Sequence, residues 1–342
     1  MDASLAWPPT RRAEQCERAA DQLGLTPSAV EKDFWVCWVL RELFRLDAAT
    51  RLTFKGGTSL SKCWSLIGRL SEDIDLVVDR DLLGFAGDAA PEAGPSRRER
   101  ERRVELVLEA CRQHVRGTLL PALSAAARAR FGDAHKPVIG LDPSAEDRQA
   151  ILFEYESLFP ATGYLRPTVK LELGARSDTE PSLEPAISPY LARAPGSDEL
   201  GDCSFVVRAV APERTFWEKV SLLHEETYAA AGPHARLARH YYDLWSLDQK
   251  GIAARALAMP GLFRRVAAHR RLFFRRAADA QRALAVGTVR LVPVPERMQD
   301  WRDDFEAMGE SMFFEDPPSF DAIIVTIRDL EQRINQLPAD GQ

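Results

Sequence analysis

At 342 residues, with 45% hydrophobic and 28% charged side chains, the chain can bury a sizeable core as one large domain or two modest ones, which argues against a disordered polypeptide. No stretch approaches the roughly 20 uninterrupted apolar residues of a membrane-spanning helix, and the N-terminus lacks a basic-then-apolar leader, so a cytoplasmic protein without membrane association is expected. Five scattered cysteines without a Cys-x-x-Cys pair argue against a disulfide framework or a zinc site, and a net charge of −6 means that any polyanion must be held by a local basic patch.

Thr26 to Leu46 reads as a helix with Ser28 and Glu31 as its capping signal. Apolar side chains from Phe34 to Phe44 occupy much of its circumference, which predicts burial. A short strand, RLTF, leads into Lys55-Gly56-Gly57-Thr58-Ser59, a helix follows, and Ile74 to Val78 is the next strand. Residues 88–96 form a Gly/Pro/Ala-rich loop, and the arginine-glutamate run after it opens a charged helix that is either a solvated face or an RNA contact. Ala150 to Phe159, Thr168 to Leu173 and Ser204 to Val210 are strand-like, and beyond Glu213 almost everything reads as helix. The expected architecture is α+β: residues 1–210 with a mixed sheet and an N-terminal helix, then a mainly helical 211–342, the two forming one cleft.

Asp73 and Asp75 are one residue apart in an apolar strand, so both carboxylates point to one face while Ile74 points to the core. Like charges that close call for a cation between them, and hard oxygen donors suit Mg²⁺, with Mn²⁺ as the alternative. Upstream, Gly56 and Gly57 allow close backbone approach to a phosphate, and Thr58 and Ser59 add hydroxyl donors. The spacing is not that of a P-loop. Arg69 and Ser71 precede the acidic strand and are read either as triphosphate contacts or as turn-stabilising residues.

The blocks EKDFWVCWVL, KGGTSLSK, RLSEDIDL, ERTFWEKVSLLH and RHYYDLWSL together resemble the AbiEii/AbiGii toxin family of nucleotidyltransferases, from about residue 28 to near residue 320. The resemblance implies a polymerase-β-like core, metal held by the Asp73–Asp75 pair, and transfer of a nucleoside monophosphate from a nucleoside triphosphate to an acceptor, with release of pyrophosphate. A third acid often joins the pair in that superfamily, and Glu172 in KLELG is the candidate; the alternative is a Lys170–Glu172 ion pair on a half-solvated sheet. The Lys55–Ser59 turn is assigned to the nucleotide.

Lys219 falls outside the apolar stripe of its helix, as a solvated lysine would, but the family places a functional lysine in this motif, so it is assigned to phosphate oxygens. Asp243 matches the last motif and is assigned to orienting Lys219 or assisting acceptor deprotonation, with pairing to Arg239 as the alternative; His224 reads as a packing residue. Similarity to MenT-type toxins implies an RNA acceptor, with the 3′ end of tRNA as one candidate, and the family implies a cognate antitoxin or a phage-defence setting. Arg236, Arg239 and His240, with the run FRRVAAHRRLFFRR containing Arg264, Arg265, Arg270 and Arg271, offer cationic surface for RNA unless they pair with nearby acids. A non-catalytic nucleotide or RNA binder and a kinase on the same fold are the rival functions.

Overall fold

The computed structural model describes residues 1–46, 51–71, 73–132, 137–160, 166–194, 197–229, 233, 235–274, 278–309 and 312–338. Two compact units emerge: one comprises Met1–Cys63 and Leu70–Ala209, the other Trp64–Arg69 and Val210–Gln342. The expected segments 1–210 and 211–342 took no account of the excursion of Trp64–Arg69.

The first unit opens with α1 (Asp2–Leu5), α2 (Pro9–Leu23) and α3 (Pro27–Arg45). The cap of α3 is Thr26, whose hydroxyl accepts from Ala29 N at 3.2 Å, with Pro27 inside the first turn where its missing N–H costs nothing. Ser28 is therefore not the cap, and Glu31 is buried, accepting from Ser157 Oγ (2.6 Å) and Leu158 N (2.8 Å). Its neighbours Lys32 and Asp33 are buried too. Lys32 Nζ donates to Arg166 O at 3.0 Å, and Asp33 pairs with Lys62 at 2.6 Å while accepting from Tyr190 N. As the all-round apolar pattern predicts, α3 is enclosed, with Trp35 and Trp38 packed on Phe131, Phe153 and Tyr155.

The strands are β1 (Leu52–Lys55), β2 (Ile74–Val78), β3 (Val138–Leu141), β4 (Ala150–Glu154), β5 (Thr168–Gly174), β6 (Ser182–Leu183), β7 (Ala186–Ile187), β8 (Phe205–Val206) and β9 (Ala209–Val210). Seven form a mixed sheet in the order β3-β4-β5-β2-β1-β9-β6, and β7 pairs with β8 apart from it. At its centre β2 runs antiparallel to β1 and parallel to β5. Of the helices, α4 (Gly56–Lys62) joins β1 towards β2, while α5 (Arg97–His114) and α6 (Leu120–Phe131) flank a π turn at Val115–Leu119. Pro121 lies just past that turn, where its ring and missing N–H disfavour regular i→i−4 bonding. The arginine-glutamate run of α5 pairs within itself, Glu99 with Arg102 (2.8 Å) and Arg103 (2.9 Å), and Arg97 with Glu101 (2.7 Å), the pattern of a solvated face.

The second unit is helical: α7 (Pro212–Glu226), α8 (Arg239–Gln249), α9 (Ile252–Leu257), α10 (Pro260–Phe273), α11 (Ala278–Ala283), α12 (Met298–Met308) and α13 (Phe320–Asn335). Trp217 packs on Phe263, and Tyr241 meets Trp301 and Phe320 edge to face. His224 is buried with both ring nitrogens used, Nδ1 accepting from Arg290 N and Nε2 facing Ala280 O, each at 2.9 Å, which is a packing role. The excursion is held inside this unit: Ser246 Oγ and Lys250 Nζ donate to the carbonyls of Leu66 and Ser65, and Phe314 N donates to Gly68 O.

All five cysteines are free, and burial first of all pushes the thiols of Cys16, Cys37, Cys63 and Cys111 up to about 12, so they stay protonated and inert. Among the described residues no helix is long and apolar enough to cross a membrane.

Candidate active site

In the sheet unit, strand register sets the acidic residues in a row. Asp75 of β2 is opposite Lys55 on β1 and Glu172 on β5. Alternation puts Asp73 on the same side, and both aspartates are half-buried, while Ile74 between them is fully buried. Gly56 closes this row from above. Its φ is +80°, a conformation that suits glycine, and a Cβ there would overlap Asp75 Oδ2 and stand 2.9 Å from its Cγ. The turn and the acid are thus in direct contact, and only a residue without a side chain fits between them.

The hydroxyls in this turn face the protein itself. Thr58 Oγ1 donates to the Asp73 carbonyl at 2.5 Å and lies 2.9 Å from Ser71 Oγ, while Ser59 Oγ donates to Gly56 O at 3.0 Å. Both are buried: Thr58 clamps α4 to the start of the acidic strand and Ser59 closes the first turn of α4 on itself, where the sequence suggested phosphate donors. Ser71 shares in that clamp. Lys55 Nζ donates to Ser177 Oγ at 3.0 Å.

Glu172 sits beside Asp75 in register, and Lys170 Nζ lies 2.8 Å from its Oε1 and 3.6 Å from Asp142 Oδ2. Burial works against the Lys170 charge, but Glu172, Asp73 and Asp142 outweigh it and raise its pKa above the ordinary lysine value. Both readings of KLELG therefore meet in one place: Glu172 adjoins the aspartate pair, and its carboxylate is engaged by an ammonium. Among the described residues no group of three or more His, Cys, Asp or Glu side chains is arranged to hold a metal.

The helical unit carries a second charged cluster. Asp243 on α8 is fully buried, and Arg69 grips it with two parallel bonds, Nε to Oδ1 and Nη2 to Oδ2, both 2.7 Å. Lys219 of α7 reaches the same carboxylate at 2.7 Å and lies 3.2 Å from His240 Nδ1. Burial alone would raise the Asp243 pKa, but the guanidinium of Arg69 and the ammonium of Lys219 drive it far below the carboxylate range. Burial is also the main cause that lowers Lys219 and holds His240 well below its usual value, with neighbouring cations adding to both.

Three expectations change as a result. Lys219 is buried, not on a solvated face, because Asp243 from another helix supplies its counter-charge. Arg69, at 2% exposure, is committed to Asp243 and is not a surface contact for a triphosphate. Asp243 takes Arg69 and Lys219, not Arg239, as its ion-pair partners.

The basic surface is also smaller than the sequence suggests. Arg270 is paired bidentately with Glu225 at 2.8 and 2.7 Å, and Arg271 donates to the carbonyls of Gln281 and Leu284. Arg264 and Arg265 are exposed on α10, and Arg275 and Arg276 at the end of the run lie outside the described residues. At the other end, Arg236 has its backbone N–H bound to Asp304 Oδ1 at 2.6 Å, and His240 belongs to the Lys219 cluster.

The sheet unit thus carries an Asp-x-Asp pair against a Gly-Gly turn on a mixed sheet. The family model described as nucleotidyl transferase AbiEii toxin, type IV toxin–antitoxin system, matches residues 38–326, and the chain belongs to that family. Among solved structures the chain is similar to MenT4, a nucleotidyltransferase toxin from Mycobacterium tuberculosis H37Rv, at 20% identity and a TM-score of 0.53, over 96% of this chain and 91% of that chain. At that identity the likeness speaks to the fold. No curated protein sequence matches the chain.

Proposed function

We propose that this nucleotidyltransferase toxin moves a nucleoside monophosphate from a nucleoside triphosphate onto a hydroxyl of an RNA, with the 3′ end of tRNA as the favoured acceptor. The new bond joins the acceptor oxygen to the α-phosphorus, the bond from that phosphorus to the bridging oxygen breaks, and pyrophosphate leaves. The observation that carries this reading is the contact between Gly56 and Asp75, which sets a bare backbone turn against a carboxylate of the aspartate pair. The missing side chain lets the turn lie against the acid, so a phosphate held by the turn would stand beside the carboxylates that would hold its counter-ion.

The donors fit a divalent cation: two half-buried carboxylates on one face of a strand, with the Lys170 ammonium already drawn to the same acidic patch. Asp73 and Asp75 would hold Mg²⁺, or Mn²⁺ in its place; when bound, the ion neutralises phosphate charge and lowers the pKa of the attacking hydroxyl. Thr58 and Ser71 keep Asp73 in place, Gly56 and Gly57 receive the phosphates, and Lys55 adds positive charge across from Asp75. In the helical unit Asp243 orients Lys219, whose assignment to phosphate oxygens rests on the family motif. Asp243, fully paired, positions that cation and does not act as a base.

An acceptor RNA, a restraining antitoxin and action in the cytoplasm complete the proposal, and they rest on the family. The test is incubation of the full chain and Mg²⁺ with each triphosphate labelled at the α or γ position and total RNA. Transfer of α-label to RNA is expected; transfer of γ-label would identify a kinase, and no transfer with growth arrest intact would identify a binder.

A further inference from the structure

Lys170 stands on the sheet face that carries Asp75, because Glu172 is the register partner of Asp75 and Lys170 precedes it by two residues. Its ammonium lies 2.8 Å from Glu172 and 3.6 Å from Asp142, and it is electrostatically coupled to Asp73. Asp142 is itself fixed, accepting from Ser144 N at 2.9 Å and Ser144 Oγ at 2.6 Å. Lys170 is thus the cation set against Glu172 and Asp142 beside the aspartate pair. Without Lys170, Glu172 and Asp142 would lose the cation between them.

An ammonium neutralises carboxylates but has no lone pair to share with a metal, and it competes for the oxygens an ion would coordinate. Resting on the metal reading above, we propose that Lys170 is a built-in counter-ion that keeps Glu172 and Asp142 out of the ligand set, so that the nucleotide-free chain loads a single divalent cation, on Asp73 and Asp75. Lys170 is on this account a positioning residue: it sets how many ions the apo site takes before the triphosphate arrives. Glu172, the third acid suggested by the sequence, is the group it withholds.

The experiment is a Mn²⁺ titration of the nucleotide-free, full-length protein, with free Mn²⁺ read by electron paramagnetic resonance. Wild type is expected to bind one ion, Asp75→Ala to lose it, and Lys170→Arg to behave as wild type because the charge is kept. Lys170→Met is expected to bind a second ion or to hold the first at least about tenfold more tightly, and Glu172→Gln to change affinity by less than the roughly tenfold typical of a lost supporting group. Two ions in wild type, Lys170→Met indistinguishable from wild type, or a tenfold loss in Glu172→Gln would each overturn the assignment of Lys170 while leaving metal at the aspartates intact. No Mn²⁺ bound by wild type at millimolar concentration would overturn the metal reading itself and this inference with it.

Discussion

In the sheet unit the carboxylates of Asp73, Asp75 and Glu172 stand at a partly solvated face, whereas in the helical unit Asp243 is sealed between Arg69 and Lys219 with none of its surface exposed. Both regions use acids and cations, but water divides their roles. At the open face, charges are cheap to keep and cheap to remove, so the acids can serve a ligand without the fold depending on them. In the sealed cluster each charge depends on its partner, because an ion left alone in the interior has lost its hydration without compensation. The contrast predicts that stability and activity will separate in the first region and move together in the second.

The largest stability effect is expected for Asp243→Asn, which strands Arg69 and Lys219: a loss of about 3–5 kcal/mol in urea unfolding. A variant as stable as wild type would erase the distinction between the two regions. Gly56→Ala comes next. Its methyl group would overlap the Asp75 carboxylate in a left-handed backbone, so transfer should drop by about 10²-fold from displacement of the acid, as a shift of about 1 Å can do. Normal kinetics there would show that the turn and the acid do not need their present contact.

Lys219→Ala should weaken triphosphate binding by about tenfold and cost about 1–3 kcal/mol, less than Asp243→Asn because Arg69 still satisfies the carboxylate. Lys219→Arg should rescue only partly, since a guanidinium differs in shape from an ammonium. Isothermal titration with a triphosphate separates these outcomes, and unchanged affinity in the alanine variant would reduce Lys219 to a structural residue.

The buried groups of the helical unit also give stability a pH dependence. His240 and His224 have lowered pKa values in the folded protein, chiefly through burial, so below about pH 6.5 the unfolded chain takes up protons that the folded one refuses and stability falls. Asp243, held ionised in the fold, adds a loss in the same direction below about pH 4. The urea midpoint should therefore decline from pH 7 to 4, less steeply in His240→Gln, and a flat profile would contradict the burial argument. Smallest of all, charge reversal at Arg264 and Arg265 should lower RNA affinity modestly and reduce the salt slope by about 1 per lost phosphate contact, leaving the melt unchanged.

What the sequence made legible follows from the range of its signals. Alternation along the acidic strand sets Asp73, just before β2, and Asp75 on one side, and the all-round apolar pattern of α3 correctly announces a buried helix, because both are local periodicities. Pairings across long separations were not legible. Arg69 and Asp243 are 174 residues apart, and nothing in a turn arginine says that it will be buried. Lys219 looked solvated because an apolar stripe cannot reveal a counter-charge from another helix. A hydroxyl at a helix start is ambiguous until its nearest acceptor is known, and for Thr58 and Ser59 the acceptors are Asp73 O and Gly56 O, not a ligand. For the same reason Glu31 read as a local cap, while its partners are Ser157 and Leu158.

The central claim, that the open carboxylates belong to the chemistry and not to the fold, is tested most directly by Asp75→Ala, measured both for α-label transfer to RNA and by thermal unfolding. Transfer abolished, with stability within about 0.5 kcal/mol of wild type, is the expected result. Transfer at the wild-type rate, or an unfolded variant, would contradict it.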